Sequence, residues 1–173
     1  MGEDPNREGL LETPPGWRGC TEEIFSGLEA DPEEHLKIFD EGGPPRRAGV
    51  GEGHPPSTLC ASTTCCPFIG RGPHRLHPPK NGRIIGLSKF ARIVDCFARR
   101  PQVQERLTGQ IADFLYEKLE PLGVAVFIQA EHLCIDHAGA RAAGALTQTS
   151  ALRGCMRSDA KTRAEVMALL GGR

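Results

Sequence analysis

Asn81-Gly82-Arg83-Ile84-Ile85-Gly86-Leu87-Ser88-Lys89-Phe90-Ala91-Arg92-Ile93-Val94-Asp95 opens the best-patterned stretch of the chain. Residues 82–87 have the character of a short strand. Ser88 stands where a helix cap is expected, and Phe90, Ile93, Val94 and Phe97 follow at i, i+3, i+4 and i+7, one apolar helix face. Pro101 breaks that helix. A second one over 102–119 puts Val103, Leu107, Ile111, Phe114 and Leu115 on one side, with Gln104, Glu105 and Arg106 in its first turn. Gly123 then opens an apolar run to Glu131 whose continuity predicts a strand buried on both faces. Residues 147–153 read as a further strand, and a last helix runs from near Ser158 to Gly171-Gly172.

Outward from this core the texture weakens. Thr13-Pro14 and Asp31-Pro32-Glu33-Glu34 are helix starts, so residues 1–40 read as an N-terminal helical segment. Residues 41–80 differ: they hold 8 of the 14 prolines, 7 of the 21 glycines, three of the seven cysteines and three of the six histidines. Apolar alternation is absent there, so a poorly packed loop is expected, disordered or organised by a metal. Residues 81–173 form the core of the remaining domain.

With 173 residues the chain fits one domain with appendages. The net charge of -1 leaves no bulk attraction to nucleic acid or to an anionic membrane, and 5% aromatic residues make a base-stacking surface improbable. No apolar run approaches the roughly 18–20 residues of a membrane span. Met1-Gly2-Glu3-Asp4-Pro5 does not resemble a signal peptide, and an odd cysteine count points to thiols in a reducing compartment, so a cytoplasmic location is expected.

Three groups of residues could carry chemistry. Cys60, Cys65, Cys66 and Cys134, with nearby histidines, are the residue types that bind zinc, although Cys60-x4-Cys65-Cys66 is not a standard spacing and loop thiols are the plainer explanation. In His132-Leu133-Cys134 an extended backbone would point imidazole and thiolate to one face. Lys89 and Arg92, three apart on one helix face, oppose the helix dipole unless an anion joins them at the helix start; a solvated basic face is equally compatible. Gln104-Glu105 is ordinary first-turn chemistry that could also read a nucleobase edge.

Taken together, these segments resemble the GTP cyclohydrolase I family. Residues 81–95 are similar to its G-L-S-K-x-A-R-I-V segment; Arg99-Arg100-Pro101-Gln102-Val103-Gln104-Glu105-Arg106-Leu107-Thr108 to its R-R-x-Q-V-Q-E-R-L-T; and Ala130-Glu131-His132-Leu133-Cys134 to its A-E-H-L-C. Arg7 to Pro14 and Thr149 to Gly154 agree in order. The resemblance implies an α+β tunnelling fold: an antiparallel sheet containing 82–87 and 123–133, with helices 88–99 and 102–119 packed on it, preceded by N-terminal helices. It implies hydrolysis of GTP to 7,8-dihydroneopterin triphosphate and formate, at the entry to folate and biopterin synthesis, in a homo-oligomer that is a decamer. By the same resemblance, Lys89 and Arg92 bind the triphosphate, Ser88 belongs to the substrate-binding set, Gln104 and Glu105 recognise guanine, His132 is a catalytic proton donor, and Cys60 and Cys134 are zinc ligands.

One stretch departs from the family. Where its C-E-H-H-L-L-P-F motif supplies a cysteine and a histidine for zinc and a second catalytic histidine, this chain reads Cys60-Ala61-Ser62-Thr63-Thr64-Cys65-Cys66-Pro67-Phe68, one residue longer and without either histidine. Ala138 also stands where a basic triphosphate ligand is expected. Written in GC-rich codons and read one base later, C-E-H-H-L-L-P becomes Ala-Ser-Thr-Thr-Cys-Cys, the run at 61–66. A shifted V-A-H-I-A-Y-I-P likewise yields residues 71–78, and a shifted A-R-V-A-R-M-Y yields residues 15–21. Compensated single-base insertions and deletions in the coding sequence account for these windows, and they predict a strand missing from the sheet and an incomplete zinc site. The competing functions are a non-catalytic GTP-binding or assembly subunit of the same fold, and a zinc-organised loop built on Cys60, Cys65, Cys66 and His54 or His74.

Overall fold

The computed structural model describes residues 2–40, 50–51, 57–62, 66–71, 74–77, 83–136 and 141–171. Helices α1 (Glu8–Leu11) and α2 (Thr13–Ile24) open the chain and bury no residue of their own. Two short 3₁₀ turns follow, Ser26–Leu28 and Pro32–His35; Asp31 caps the second by accepting the Glu33 amide at 2.9 Å. Backbone groups fasten this segment to the body. Gly27 donates its amide to the Arg99 carbonyl at 2.9 Å, and the Arg100 guanidinium donates to the carbonyls of Gly27, Cys96 and Ala30 at 2.8, 3.1 and 3.2 Å.

The main sheet is organised by β8 (Gly123–His132). Along one edge lies β9 (Leu146–Gly154), antiparallel; along the other lie β4 (Pro67–Arg71) and β5 (His74–His77), also antiparallel. The pairs Phe68↔His132, Arg71↔Gln129, His74↔Val126 and His77↔Gly123 keep one register, so β4 and β5 run as two parts of a single line beside β8. Strand β2 (Val50–Gly51) adds to β5, and β3 (Ser57–Ala61) forms a hairpin with β4. Strand β7 (Pro101–Gln102) joins β3 in parallel, which makes the sheet mixed rather than purely antiparallel.

Two expectations are corrected here. The loop foreseen over 41–80 is replaced, among its described residues from 50 on, chiefly by sheet, and the strand thought lost is present. Burial explains this: β8 is buried along most of its length and its N–H and C=O groups need partners, so tertiary pairing overrides the weak local pattern. The strand expected at 82–87 forms over 83–85 as β6 (Arg83–Ile85), but it pairs with β1 (Ile38–Asp40) in a separate ribbon. Both edges of β8 are already taken, so no place is left for it there.

Helices α3 (Leu87–Ala98) and α4 (Gln104–Leu119) cover one face of the sheet. Phe90, Ile93 and Phe97 meet Leu107, Ile111, Leu115 and Leu119 over Val124, Val126, Ile128 and Ala130, with Phe68 and Ala151 completing the core. Alternate residues of β8 face the other way: Ala125, beside Phe127 and Leu152, packs on Met156 and Val166 of α6 (Cys155–Ser158) and α7 (Ala160–Gly171). Strand β8 is therefore buried on both faces, as its unbroken apolar run requires. Helix α4 starts at Gln104 rather than 102 because Pro101 and Gln102 pair with Cys60 and Ala61. No helix among the described residues is long and apolar enough to cross a membrane.

Candidate active site

One end of the sheet gathers most of the residues singled out by sequence. Cys60 pairs with Pro67, whose neighbour Phe68 pairs with His132, the last residue of β8. Strand β7 brings the start of α4, with Gln104 and Glu105, to the same end through its pairing with Cys60 and Ala61. The chain leaves His132 directly into α5 (Leu133–Asp136), which carries Cys134.

His132 is held from two sides. The Phe68 ring stacks on the imidazole, centroids 4.6 Å apart and planes within 6°. Its Nε2 lies 2.7 Å from Gln104 Oε1. Gln104 is 2% exposed, and its amide nitrogen donates to the carbonyls of Ile128 and Thr147, both at 3.0 Å, and to Thr149 Oγ1 at 3.2 Å. The Thr108 hydroxyl donates to the Gln104 carbonyl at 2.7 Å and lies 2.7 Å from Thr149 Oγ1.

Sequence reasoning missed Phe68, Thr108 and Thr149. The available signal was Thr108, four residues after Gln104 and beside Leu107 in the helix stripe: a hydroxyl on a buried face needs a partner.

Residues 1–171 match the family described as GTP cyclohydrolase I. The chain belongs to the GTP cyclohydrolase I family. It is similar to GTP cyclohydrolase 1 of Acetivibrio thermocellus, 50% identical over 173 residues covering 100% of this chain and 91% of the relative. The same-named protein of Thermoanaerobacter pseudethanolicus is 51% identical, covering 100% and 90%, and that of Thermobifida fusca 48%, covering 100% and 83%.

Within this GTP cyclohydrolase I fold the remaining site residues divide. Glu105 is exposed in the first turn of α4, where a carboxylate suits the helix dipole. Ser88 and Arg92 are exposed and Lys89 is half-buried at the start of α3, but Ser88 does not cap it: Gly86 takes the cap position and no side chain closes that end. Helix α3 is about 18 Å long at 1.5 Å per residue. Its far end, Ala98, lies three residues from Pro101, which pairs with Cys60. Cys134 is not on an extended run with His132, because β8 stops at His132 and the backbone turns helical; the same-face geometry inferred from alternation is therefore corrected.

The described residues do not by themselves make a zinc site. A catalytic zinc takes three protein ligands, and among the described residues no three His, Cys, Asp or Glu side chains come together to hold a metal. Thr63, Thr64, Cys65, His54 and Ala138 lie outside the described residues. Among the described residues, Asp136 Oδ1, two residues beyond Cys134, is the one buried side-chain oxygen or nitrogen without a hydrogen-bond partner.

Proposed function

We propose that this end of the sheet is a GTP cyclohydrolase I site, acting on GTP to give 7,8-dihydroneopterin triphosphate and formate. The supporting observation is the convergence of Cys60, Glu105, His132 and Cys134 at one sheet end, in a chain matching that family along nearly its whole length. Glu105, exposed at the mouth of α4, accepts hydrogen bonds from the guanine edge. His132, its ring clamped between Phe68 and Gln104, donates a proton to the opening ring system. Lys89 and Arg92, with the first-turn amides of α3 that no side chain caps, hold the triphosphate.

The homo-oligomer, a decamer by resemblance, is part of this reading. The cytoplasmic location belongs to the same proposal. Zinc belongs to it through the resemblance alone, with Cys60 and Cys134 as the matched thiolates; among the described residues no three metal-binding side chains come together.

Formate release from GTP, with zinc supplied, tests the reading on two proteins. The chain as it stands should release little. A version in which residues 61–66 are replaced by the family's Glu-His-His-Leu-Leu, and residues 71–78 by Val-Ala-His-Ile-Ala-Tyr-Ile-Pro, should turn GTP over. A folded, zinc-loaded repaired protein that releases no formate would refute the function. Normal turnover by the unrepaired chain would show that the zinc site uses other residues.

A further inference from the structure

A second buried glutamine stands behind the start of α4. Gln102 is 1% exposed and lies in β7, one residue before the N-cap position of that helix. Its side-chain nitrogen donates to the Phe97 carbonyl at 2.7 Å and to Gln110 Oε1 at 3.0 Å. Its Oε1 accepts from Arg106 Nε at 3.2 Å. The amide cannot be reversed, because a carbonyl only accepts and a guanidinium only donates. Phe97 belongs to the last turn of α3, where carbonyls lack helical partners, so this amide also closes that helix end.

The backbone ties the same residue to the strand that carries Cys60. The Gln102 carbonyl accepts the Ser62 amide at 2.9 Å, next to the Ala61↔Gln102 pair of β3 and β7. Arg106 reaches back from the first turn of α4 and donates Nη2 to the Pro101 carbonyl at 2.6 Å. Held at two points, Arg106 fixes how that turn is rotated, and Glu105 is its neighbour there. Gln104, on the other side, spends its amide on Ile128, Thr147 and Thr149, so Glu105 is the exposed acid this turn offers.

We infer that Gln102 is a positioning residue whose carboxamide, with Arg106, fixes the first turn of α4, and so Glu105, against the end of β3. The inference rests on the reading of Glu105 as the group that accepts from the guanine edge, and it deepens that reading. Preference for the base then depends on a side chain too buried to touch a ligand. The carboxamide suits this role because it donates and accepts at once: it holds the end of α3 and the second turn of α4 through one atom, and Arg106 through the other.

Calorimetric titration of the full chain with guanosine and, separately, with inorganic tripolyphosphate tests this without turnover. Gln102→Met keeps the length of the side chain and removes its donors and acceptor. It should weaken guanosine binding about tenfold, the scale of one hydrogen bond to a charged group, and leave tripolyphosphate binding unchanged. In a Glu105→Ala background the same substitution should cost guanosine nothing further, because Gln102 acts through Glu105. Additive losses, or equal loss of both ligands, would overturn the inference. If Gln102→Met does not fold, Arg106→Lys decides by the same split: it sits on the exposed side, keeps the charge and cannot span both acceptors. If the unaltered chain binds no guanosine, the proposed function falls and amide hydrogen exchange decides the role of Gln102. Ser62 and Leu107 should then exchange faster in the folded variant while β8 stays protected, and unchanged exchange at both would overturn it.

Discussion

Phe68 lies flat against His132, ring centroids 4.6 Å apart, and the two residues are direct cross-strand partners on β4 and β8. Phe68 is 1% exposed, so one side chain both completes the core and fixes the plane of the imidazole. Phe68→Ala should lower stability by about 3–5 kcal/mol through lost transfer energy and the cavity left behind. Phe68→Leu, closer in volume, should cost less than about 1.5 kcal/mol. Urea unfolding of both variants checks the ratio; equal small losses would mean that the ring is not part of the packed core.

Lys89 and Arg92 should matter for the triphosphate and not for the base. Lys89→Ala and Arg92→Ala are each expected to weaken GTP binding by about tenfold at low salt, about 1.4 kcal/mol. The effect should shrink as salt rises, because Arg92 is exposed. Calorimetric titration with GTP and with guanosine separates the two contributions. Guanosine binding lost in parallel would show that these cations act on the fold instead.

The N-terminal segment is joined to the body at Gly27. A Cβ there would stand 2.3 Å from the Cys96 carbonyl oxygen and 2.6 Å from that of Arg99, both backbone atoms that cannot move aside cheaply. Gly27→Ala should therefore separate this contact and lower thermal stability, by about 1–3 kcal/mol as in other overpacked sites. Protease cleavage between residues 24 and 36 should accelerate in the same variant. Unchanged cleavage would mean that the Arg100 hydrogen bonds alone hold the segment.

Asp159 precedes α7 and accepts hydrogen bonds from the Thr162 hydroxyl and from the amides of Lys161 and Thr162. The Thr162 hydroxyl, then the two amides, hold its carboxyl below the usual aspartate range. A depressed folded-state value stabilises the helix fully above the unfolded value, about 3.9, and that stability is lost as pH falls through the lower folded one. Asp159→Asn keeps a cap but cannot titrate, so its stability should depend less on pH below about 4. Acid titration followed by circular dichroism checks this, and identical acid limbs would exclude the contribution.

Much of the fold was legible because residues 81–134 carry strong local periodicity. The stripe Phe90, Ile93, Val94, Phe97 marks one buried helix face, and the short run 124–128, opened by Gly123, marks a strand buried on both faces. Boundaries shifted where a neighbour intervened, as at Pro101-Gln102, which pairs with β3 before α4 can start. The strands at 57–61, 67–71 and 74–77 were not legible, since their Pro, Gly and His content shows no alternation; the demand of β8 for partners along its whole edge draws 67–71 and 74–77 into one line, and 57–61 joins through its hairpin with 67–71.

The residues by themselves determined which groups could do chemistry here: His132, Glu105, two cysteines at matched positions, and a pair of cations one helix turn apart. They determined this because a side chain's donors, acceptors and charge are properties of the residue, and motif order survives without coordinates. Only the tertiary structure decided what each faces. It turned Gln104 inward to three acceptors and the His132 ring, laid Phe68 on that ring, and left the start of α3 without a side-chain cap. Those outcomes depend on pairings 24 to 64 residues apart along the chain, from Gln104–Ile128 to Phe68–His132, and local pattern carries no information at that range.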